Sequence, residues 1–277
     1  MYGTGRGLRD IVGGCGFKSP LTRPSETVCI WSDEMVSKYK ICLGIMTHNE
    51  IGEFTQLMNL IFPHRHLFHQ VVIVDDFSRP EMQELFGKYD LSVYKRVLNG
   101  DFSAQRNYLL EHLDGDVAFI LDPDECPGEK LLKQLPLIAD RMMTKNIDAI
   151  SVPRLNIHYE TEDLPDFHTV YLDQHMLDTQ SPDRQTRIIR LNGGARYINK
   201  VHERLVGINI LGMLPNKIEY SIIHVKSIKR QKDQDKLYSK IGRFAPNEIG
   251  KKLGLKRVAQ WLGLLGSFQE VDLDLPQ

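Results

Sequence analysis

Cysteine is scarce in this chain, and no long apolar run is present. The 277 residues include four cysteines whose spacing fits neither paired disulfides nor a metal site, namely Cys15, Cys29, Cys42 and Cys126. Reduced thiols in a cytosol-like compartment are the expected state. No stretch approaches the roughly 20 apolar residues that a membrane span needs, and the N-terminus lacks the apolar core of a secretory signal. These absences predict a cytoplasmic protein without a transmembrane segment.

A glycine-rich phosphate loop is also missing. Gly3-Thr-Gly-Arg-Gly7 supplies the glycines, but no strand precedes it and no Gly-Lys-Ser/Thr follows. We therefore exclude a phosphate loop at this position.

The net charge of −1 conceals an uneven distribution. Residues 1–183 hold 17 Lys/Arg against 28 Asp/Glu, whereas residues 184–257 hold 18 against 5. Such a basic segment indicates a polyanionic partner or a phosphate-rich substrate. The alternative is that the two halves attract each other within the protein.

Strands and helices alternate from residue 40 onward. Four apolar segments predict buried strands, and helical spacing lies between them. Alternation of this kind predicts an α/β fold with a mostly parallel, Rossmann-like sheet flanked by helices, whose ligands lie beyond the carboxyl ends of the strands. The predicted strands are 41–47, 71–75, 91–97 and 117–121, and later ones are 148–158, 187–191 and 218–225. The predicted helices are 51–61, 81–88, 103–113 and 128–144, followed by 229–243 and 253–265.

Polar clusters follow three of the predicted strands. They are Thr47-His-Asn-Glu50, Asp75-Asp-Phe-Ser78 and Asp122-Pro-Asp-Glu125. Residues i and i+2 of an extended segment project to the same side, so Asp122 and Asp124 can converge on one cation. Mg²⁺ and Mn²⁺ prefer such oxygen ligands. Three clusters at one sheet edge indicate an active site.

These motifs, in this order, resemble the family-two inverting glycosyltransferases with the GT-A fold. The resemblance continues through Ala104-Gln-Arg-Asn107, Lys200-Val-His-Glu-Arg204 and Ile222-Ile-His224, and covers residues 40–245. Pro182-Asp-Arg-Gln-Thr-Arg187 and Arg230-Gln-Lys-Asp-Gln234 resemble the enzymes of tailed phages in particular, which would place the protein in the host cytoplasm. Pro123 stands where alanine or serine is usual, and both acids are kept.

The resemblance implies a divalent metal, Mn²⁺ or Mg²⁺, and a nucleoside-diphosphate sugar, most simply a UDP-sugar. Asp122, Asp124 and His224 would hold the metal, with Asp122 also orienting the ribose. His224 could instead be a hydrogen-bonded core histidine. The other nucleotide-sugar-binding residues implied are Thr47, Asn49, Glu50, Asp75, Asp76 and Arg106. The alternative for Arg106 is an ion pair with Glu111.

Inversion needs a base that removes a proton from the acceptor hydroxyl. The resemblance and the chemistry favour Glu203, with Asp183 as the reserve candidate. Glu203 could instead form a structural ion pair with Arg204 or Arg187.

We therefore predict an N-terminal extension (1–39), a nucleotide-sugar-binding half (40–126), an acceptor-binding and catalytic half (127–250) and an amphipathic tail (251–277). The tail could bind an anionic membrane or nucleic acid, or pack on the protein. The expected activity is metal-dependent, inverting sugar transfer, and one fitting acceptor is a hydroxylated pyrimidine in phage DNA. The alternatives are a lipopolysaccharide or other surface glycan as acceptor, and an inactive sugar- or nucleic-acid-binding module. A sugar nucleotidyltransferase would carry a glycine-rich loop where Thr47-His-Asn-Glu50 stands. The sequence specifies neither the sugar nor the oligomeric state.

Overall fold

A computed structural model describes residues 37–159, 163–167, 183–242, 268–273 and 275. All of them belong to one compact unit, Met35–Gln277. None of the helices within the described ranges has the length and hydropathy of a membrane-spanning segment. Most of the predicted extension and tail, including the predicted helix at 253–265, lies outside the described residues. The division into nucleotide-binding and acceptor-binding halves stays a prediction.

The chain alternates strands and helices through its first half and is richer in strands afterwards. The strands are β1 Ile41–Thr47, β2 Gln70–Asp75, β3 Ser92–Lys95, β4 Val117–Leu121, β5 Glu125–Pro127, β6 Ala149–Tyr159, β7 Asp183–Arg190, β8 Arg196–Ile198, β9 Arg204–Val206, β10 Ile210–Met213, β11 Ile222–Ser227 and β12 Gln269–Asp272. The α-helices are α1 Ile51–Ile61, α2 Pro80–Phe86, α3 Phe102–Glu111, α4 Glu129–Thr144 and α5 Ile228–Gly242. Short 3-10 helices span Phe62–Leu67 and Ile218–Tyr220.

Ten of the described strands form one mixed sheet. Its order is β12-β10-β6-β7-β4-β1-β2-β3, and β11 joins it by pairing with β5 and β6. The run β3-β2-β1-β4 is parallel throughout, whereas β7 lies antiparallel to both β4 and β6. The predicted fold class, a mostly parallel α/β sheet flanked by helices, is confirmed.

Both faces of the sheet are covered by helices, as β1 shows. All seven of its residues are buried. Alternate side chains of a strand point to opposite faces, so Leu43 packs in the cluster that contains α1, α2 and α4, while Cys42 packs in the cluster that contains α3. Gly44 also faces α3, where an added Cβ would lie 3.0 Å from the side chain of Leu109. A side chain at this position would therefore require the Leu109 side chain to shift.

Several predicted segments differ from the structure by one or two residues at their ends, and two strands begin four residues away from the predicted start. The strand expected at 218–225 begins only at Ile222, because Ile218–Tyr220 turn as a 3-10 helix, and it continues to Ser227. The strand expected at 187–191 begins earlier, at Asp183, because its first residues pair with β6.

Cys42 and Cys126 are both fully buried. Burial raises the pKa of Cys42 to about 11 and that of Cys126 to about 12. Neither thiol is a reactive nucleophile near neutral pH, because the thiolate is the reactive form.

Candidate active site

The loops that follow β1 and β2 are bound to each other. The backbone N–H of Asp76 donates to the carbonyl of Thr47 (3.0 Å), and the His48 ring lies 2.7 Å from the carbonyl of Asp76. Asn49 donates its backbone N–H to the Ser78 hydroxyl (2.9 Å), and its side-chain oxygen accepts a backbone N–H at the start of α2 (2.7 Å). The side chain of Asn49 thus holds the two loops together, although the sequence placed it in the nucleoside pocket.

Of the two adjacent acids at the end of β2, Asp76 is partly exposed and Asp75 is buried. Asp75 is 0% exposed, and its carboxylate accepts the backbone N–H of Ser78 (3.1 Å) and the side chain of Gln83 (2.7 Å). Asp76 keeps 22% of its side chain exposed and accepts the backbone N–H of Leu98 through one oxygen (2.9 Å). The prediction that Asp75 binds the nucleotide is therefore corrected: Asp75 shapes the loop, and Asp76 remains the candidate.

Glu50 lies at the same edge but is engaged by an arginine from α5. Its carboxylate accepts hydrogen bonds from the hydroxyl of Thr47 (2.8 Å) and the guanidinium of Arg230 (2.9 Å). Burial raises the pKa of Glu50 by more than Arg230 lowers it. Arg230 also reaches Glu53 (2.7 Å) and approaches Asp124 (3.8 Å). One guanidinium therefore lies among three carboxylates.

Asp122, at the end of β4, is held by two buried arginines. Arg106 on α3 donates to both of its carboxylate oxygens (3.2 and 3.1 Å), and Arg187 on β7 donates to one (2.8 Å). Burial acts to raise the pKa of Asp122, but the two arginines outweigh it, so the pKa lies well below its ordinary value. Asp122 is therefore ionised and bonded to cationic side chains.

Asp124 and His224 do come together. The His224 ring lies 3.4 Å from the carboxylate of Asp124 and 2.9 Å from the side-chain oxygen of Asn156. Burial alone would raise the pKa of Asp124, yet His224 and Arg230 lower it to about 2. Among the described residues no group of three His, Cys, Asp or Glu side chains is arranged to hold a metal ion. The predicted three-ligand set is therefore not assembled, because Asp122 is bonded to Arg106 and Arg187.

Glu125, one residue further, links this turn to Asp183. It is 0% exposed and bonds to Arg187 and to Arg154 (3.3 Å). Arg154 on β6 in turn donates to Asp183 (3.0 Å), which also accepts from Gln185 (2.9 Å). Burial acts to raise the pKa of Asp183, but Arg154 outweighs it and the pKa is lowered.

Glu203 lies at the end of this series of ion pairs that is opposite to Asp183. Its carboxylate accepts a hydrogen bond from the Nε of Arg106 (3.0 Å), the arginine that also binds Asp122. The expected alternatives, ion pairs with Arg187 or Arg204, are wrong, because the partner is Arg106. The two candidate bases are thus the two ends of one series of alternating acids and arginines.

Arg106 is buried within the protein, so the alternative of an ion pair with Glu111 is wrong. Glu111 instead lies 3.6 Å from Arg196. The Nη1 of Arg106 and the Nε of Arg187 are both buried without a hydrogen-bond partner among the described residues. Buried N–H groups of this kind call for an acceptor, and a bound oxyanion would supply one.

The site carries an excess of negative charge. The contacts above join seven carboxylates to four guanidinium groups. Lys226 is buried close enough to interact with Asp124, but burial lowers the pKa of Lys226. Even with Lys226 and His224 both charged, one negative charge remains. The carboxylates are Glu50, Glu53, Asp122, Asp124, Glu125, Asp183 and Glu203, and the arginines are Arg106, Arg154, Arg187 and Arg230.

Five residues of this network were not assigned roles from the sequence, and one of them, Glu53, lay inside the predicted helix 51–61. Glu125 lay inside the acidic motif, and Arg187 and Arg230 lay inside the phrases that resemble the phage enzymes. Arg154 lay in a predicted strand without any motif. An arginine predicted within or beside an apolar strand is the signal that could have indicated a buried partner.

The sequence from residue 42 to residue 192, more than half of the chain, matches the family profile of Glycosyl transferase family 2. The protein therefore belongs to glycosyl transferase family 2. The geometry agrees with this membership, since the acids that follow β1, β2 and β4 lie at one edge of a parallel sheet.

Among individual proteins, the chain is similar to the SPbeta prophage-derived glycosyltransferase SunS of Bacillus subtilis (strain 168) and to glycosyltransferase SunS of Bacillus phage SPbeta. Each is 20% identical over 171 residues, which is 61% of this chain and 35% of the relative. The chain thus spans about a third of the length of these relatives.

Two solved structures overlap with part of the chain. TarS 1–349 of S. aureus gives a TM-score of 0.37 at 20% identity, over 55% of this chain and 47% of that one. The mannosyltransferase PcManGT from Pyrobaculum calidifontis, in complex with GDP-Man and Mn²⁺, gives 0.33 at 19% identity, over 50% and 40%. Overlaps of this extent do not bear on the chemistry of this chain.

Proposed function

We propose that this family-two glycosyltransferase moves a sugar from a nucleoside-diphosphate sugar, most simply a UDP-sugar, to an acceptor hydroxyl with inversion and with the help of a divalent cation. The observation that carries the proposal is the pairing of Asp124 with His224 inside a network of net negative charge. A nucleoside diphosphate brings further negative charge, and binding it here without a cation would be strongly opposed.

The residues present fit Mn²⁺ or Mg²⁺ as two protein ligands, Asp124 and His224, with oxygens of the donor diphosphate completing the shell. When bound, the ion supplies positive charge that stabilises the departing nucleoside diphosphate. Asp76 accepts the ring N–H of the base through its free lone pairs. A phosphate oxygen of the nucleotide sugar would provide an acceptor for the Nη1 of Arg106, which has no hydrogen-bond partner among the described residues.

Glu203 fits the role of base better than Asp183 does. Four N–H bonds from Arg154, Gln185 and Asn156 stabilise the charged form of Asp183, and its lowered pKa makes it a weaker proton acceptor. Glu203 is bonded through one oxygen to Arg106, so its other oxygen can take the acceptor proton as the hydroxyl oxygen attacks the anomeric carbon. The C–O bond to the diphosphate breaks on the opposite face, which gives inversion.

The narrower proposal for the acceptor is a hydroxylated pyrimidine in DNA. Four arginines of the basic segment already pair with acids of the first half: Arg187, Arg190, Arg196 and Arg230. Internal attraction therefore accounts for part of the charge asymmetry. The exposed lysines of α5, together with Lys200, Arg204 and Lys217, support the proposal further, and they would contact phosphates. Transfer to DNA should then weaken steeply as salt rises, whereas a flat salt dependence would favour a surface glycan.

Release of nucleoside diphosphate from a panel of UDP- and GDP-sugars, with Mn²⁺ and candidate acceptors, tests the proposal. Turnover that EDTA abolishes and Mn²⁺ restores supports it. Absence of turnover with every donor and acceptor would instead favour a binding module without catalysis.

A further inference from the structure

Phe77 is an aromatic residue that is largely exposed to solvent. It follows Asp76 in the loop beyond β2, and 58% of it is exposed. Val97, in the segment after the neighbouring strand β3, is exposed to the same extent. No other large apolar residue in the described part of the chain is more exposed than these two. Because β2 and β3 are parallel, both residues lie at the edge where a ligand of this fold binds.

The backbone of Phe77 is also unfavourable for an aromatic residue. Its φ is +51°, in the left-handed region that glycine adopts without cost and bulky side chains avoid. The conformation is imposed by its neighbours. Asp76 bonds back to Thr47 (3.0 Å), and Ser78 bonds to Asp75 (3.1 Å) and accepts from Asn49 (2.9 Å).

A residue that is both strained and exposed is not explained by folding. Glycine would adopt the positive φ without strain, and a polar side chain would be better solvated than an exposed aromatic ring. Strained residues that persist cluster at ligand-binding positions. These two features together indicate that a bound ligand covers the ring of Phe77.

The neighbouring Asp76 indicates which ligand that is. Its carboxylate is partly exposed and uses one oxygen for the Leu98 backbone, so it can accept an N–H from a ligand. A hydrogen-bond acceptor beside an exposed aromatic face matches the two features of a nucleobase, namely a polar edge and a flat apolar face. We infer that Phe77 stacks on the base of the donor nucleotide and forms a wall of its pocket, with Val97 near its rim. This inference rests on the proposed function and names the residue that holds the base.

Calorimetric titration with UDP and with GDP, both with Mn²⁺, tests the inference in wild type, Phe77→Ala, Phe77→Gly and Phe77→Tyr. Inorganic pyrophosphate with Mn²⁺ is the probe that lacks a base. We expect the Ala and Gly variants to bind the preferred nucleotide about 5- to 150-fold more weakly, the range for stacking one base on an aromatic ring. Binding of pyrophosphate should stay unchanged, and Phe77→Tyr should bind the nucleotide like wild type.

Two controls separate stacking from a structural role. Phe62→Ala removes another exposed aromatic residue, 50% exposed, in the 3-10 helix that precedes β2, and should leave nucleotide binding unchanged. Phe77→Gly should raise the melting temperature, because it relieves the backbone while removing little packing.

Several results would overturn the inference. They are unchanged nucleotide binding by Phe77→Ala, an equal loss of pyrophosphate binding, or a lower melting temperature for Phe77→Gly. In each case normal nucleotide binding by the wild type would leave the proposed function standing. A wild type that binds neither nucleotide and turns over no donor would overturn the proposed function and this inference together.

Discussion

Replacing Glu203 by glutamine removes the proposed base and changes little else. The side chain keeps its shape, and its amide oxygen can still accept the hydrogen bond that Arg106 donates at 3.0 Å. Loss of the charge on this bond should lower the free energy of unfolding by about 1 kcal/mol, the difference between a charged and a neutral acceptor. Loss of general base catalysis should lower kcat by about 10²- to 10⁴-fold.

The assay measures kcat for sugar transfer and, separately, the Kd for UDP or GDP with Mn²⁺. We expect Glu203→Gln to lower kcat while nucleotide binding stays within about twofold of wild type, because the base acts on the acceptor side. Glu111→Gln is the matched control, since Glu111 is exposed and pairs with Arg196 across 3.6 Å. If Glu203→Gln retains more than about a tenth of wild-type kcat while Asp183→Asn loses a hundredfold or more, Asp183 is the base and our reasoning is refuted.

Three further changes test the metal pair, the charge network and the packing. Asp124→Asn should weaken Mn²⁺ binding, followed by electron paramagnetic resonance, by at least about tenfold, and the exposed control Asp114→Asn should leave it unchanged. The folded-state pKa of Asp124 is lowered to about 2 and that of Asp183 is also lowered, so the stability that these two carboxylates contribute is complete above about pH 4 and is lost as the pH falls toward 2. Urea unfolding between about pH 4 and pH 2 should show a falling free energy of unfolding, with a smaller fall in Asp124→Asn. A free energy of unfolding that does not change with pH in this range would contradict the network. Gly115→Ala should lower the free energy of unfolding by about 1–3 kcal/mol, because the added Cβ would lie 2.5 Å from the sulfur of Cys42. Urea unfolding identical to wild type would show that the backbone at this strand end can shift to make room.

The sequence predicted the strands that are buried on both faces of the sheet. It did not predict very short strands or strands whose position depends on contacts with distant parts of the chain. β1 and β4 have the predicted bounds, because a continuous apolar run between two layers of helices has little ambiguity. β5, β8 and β9 have three residues each, too few for any periodicity to show. Lys226 lies within β11, although a charged residue is unusual in a buried strand. The strand extends through Lys226 because it pairs with β6 there.

For the candidate site, the sequence predicted which acids gather but not how they are neutralised. The carboxyl ends of parallel strands meet at one edge, so Asp76 and Asp124 could be expected near each other. The partner of each acid depends on distances across the sheet. Arg187 reaches Asp122 only because β7 pairs antiparallel with β4, and no local pattern in the sequence specifies that pairing.

The position of β7 limits how the protein can be divided in the laboratory. This strand comes from residues 183–190, yet it fills the gap between β4 and β6. A fragment that stops near residue 126 would expose the hydrogen-bonding edge of β4, whose five residues are all buried in the intact fold. Bare apolar edges of this kind recruit other chains. Recombinant production of residues 40–126 alone should therefore give aggregates, and studies of isolated nucleotide binding will require the polypeptide through at least β11.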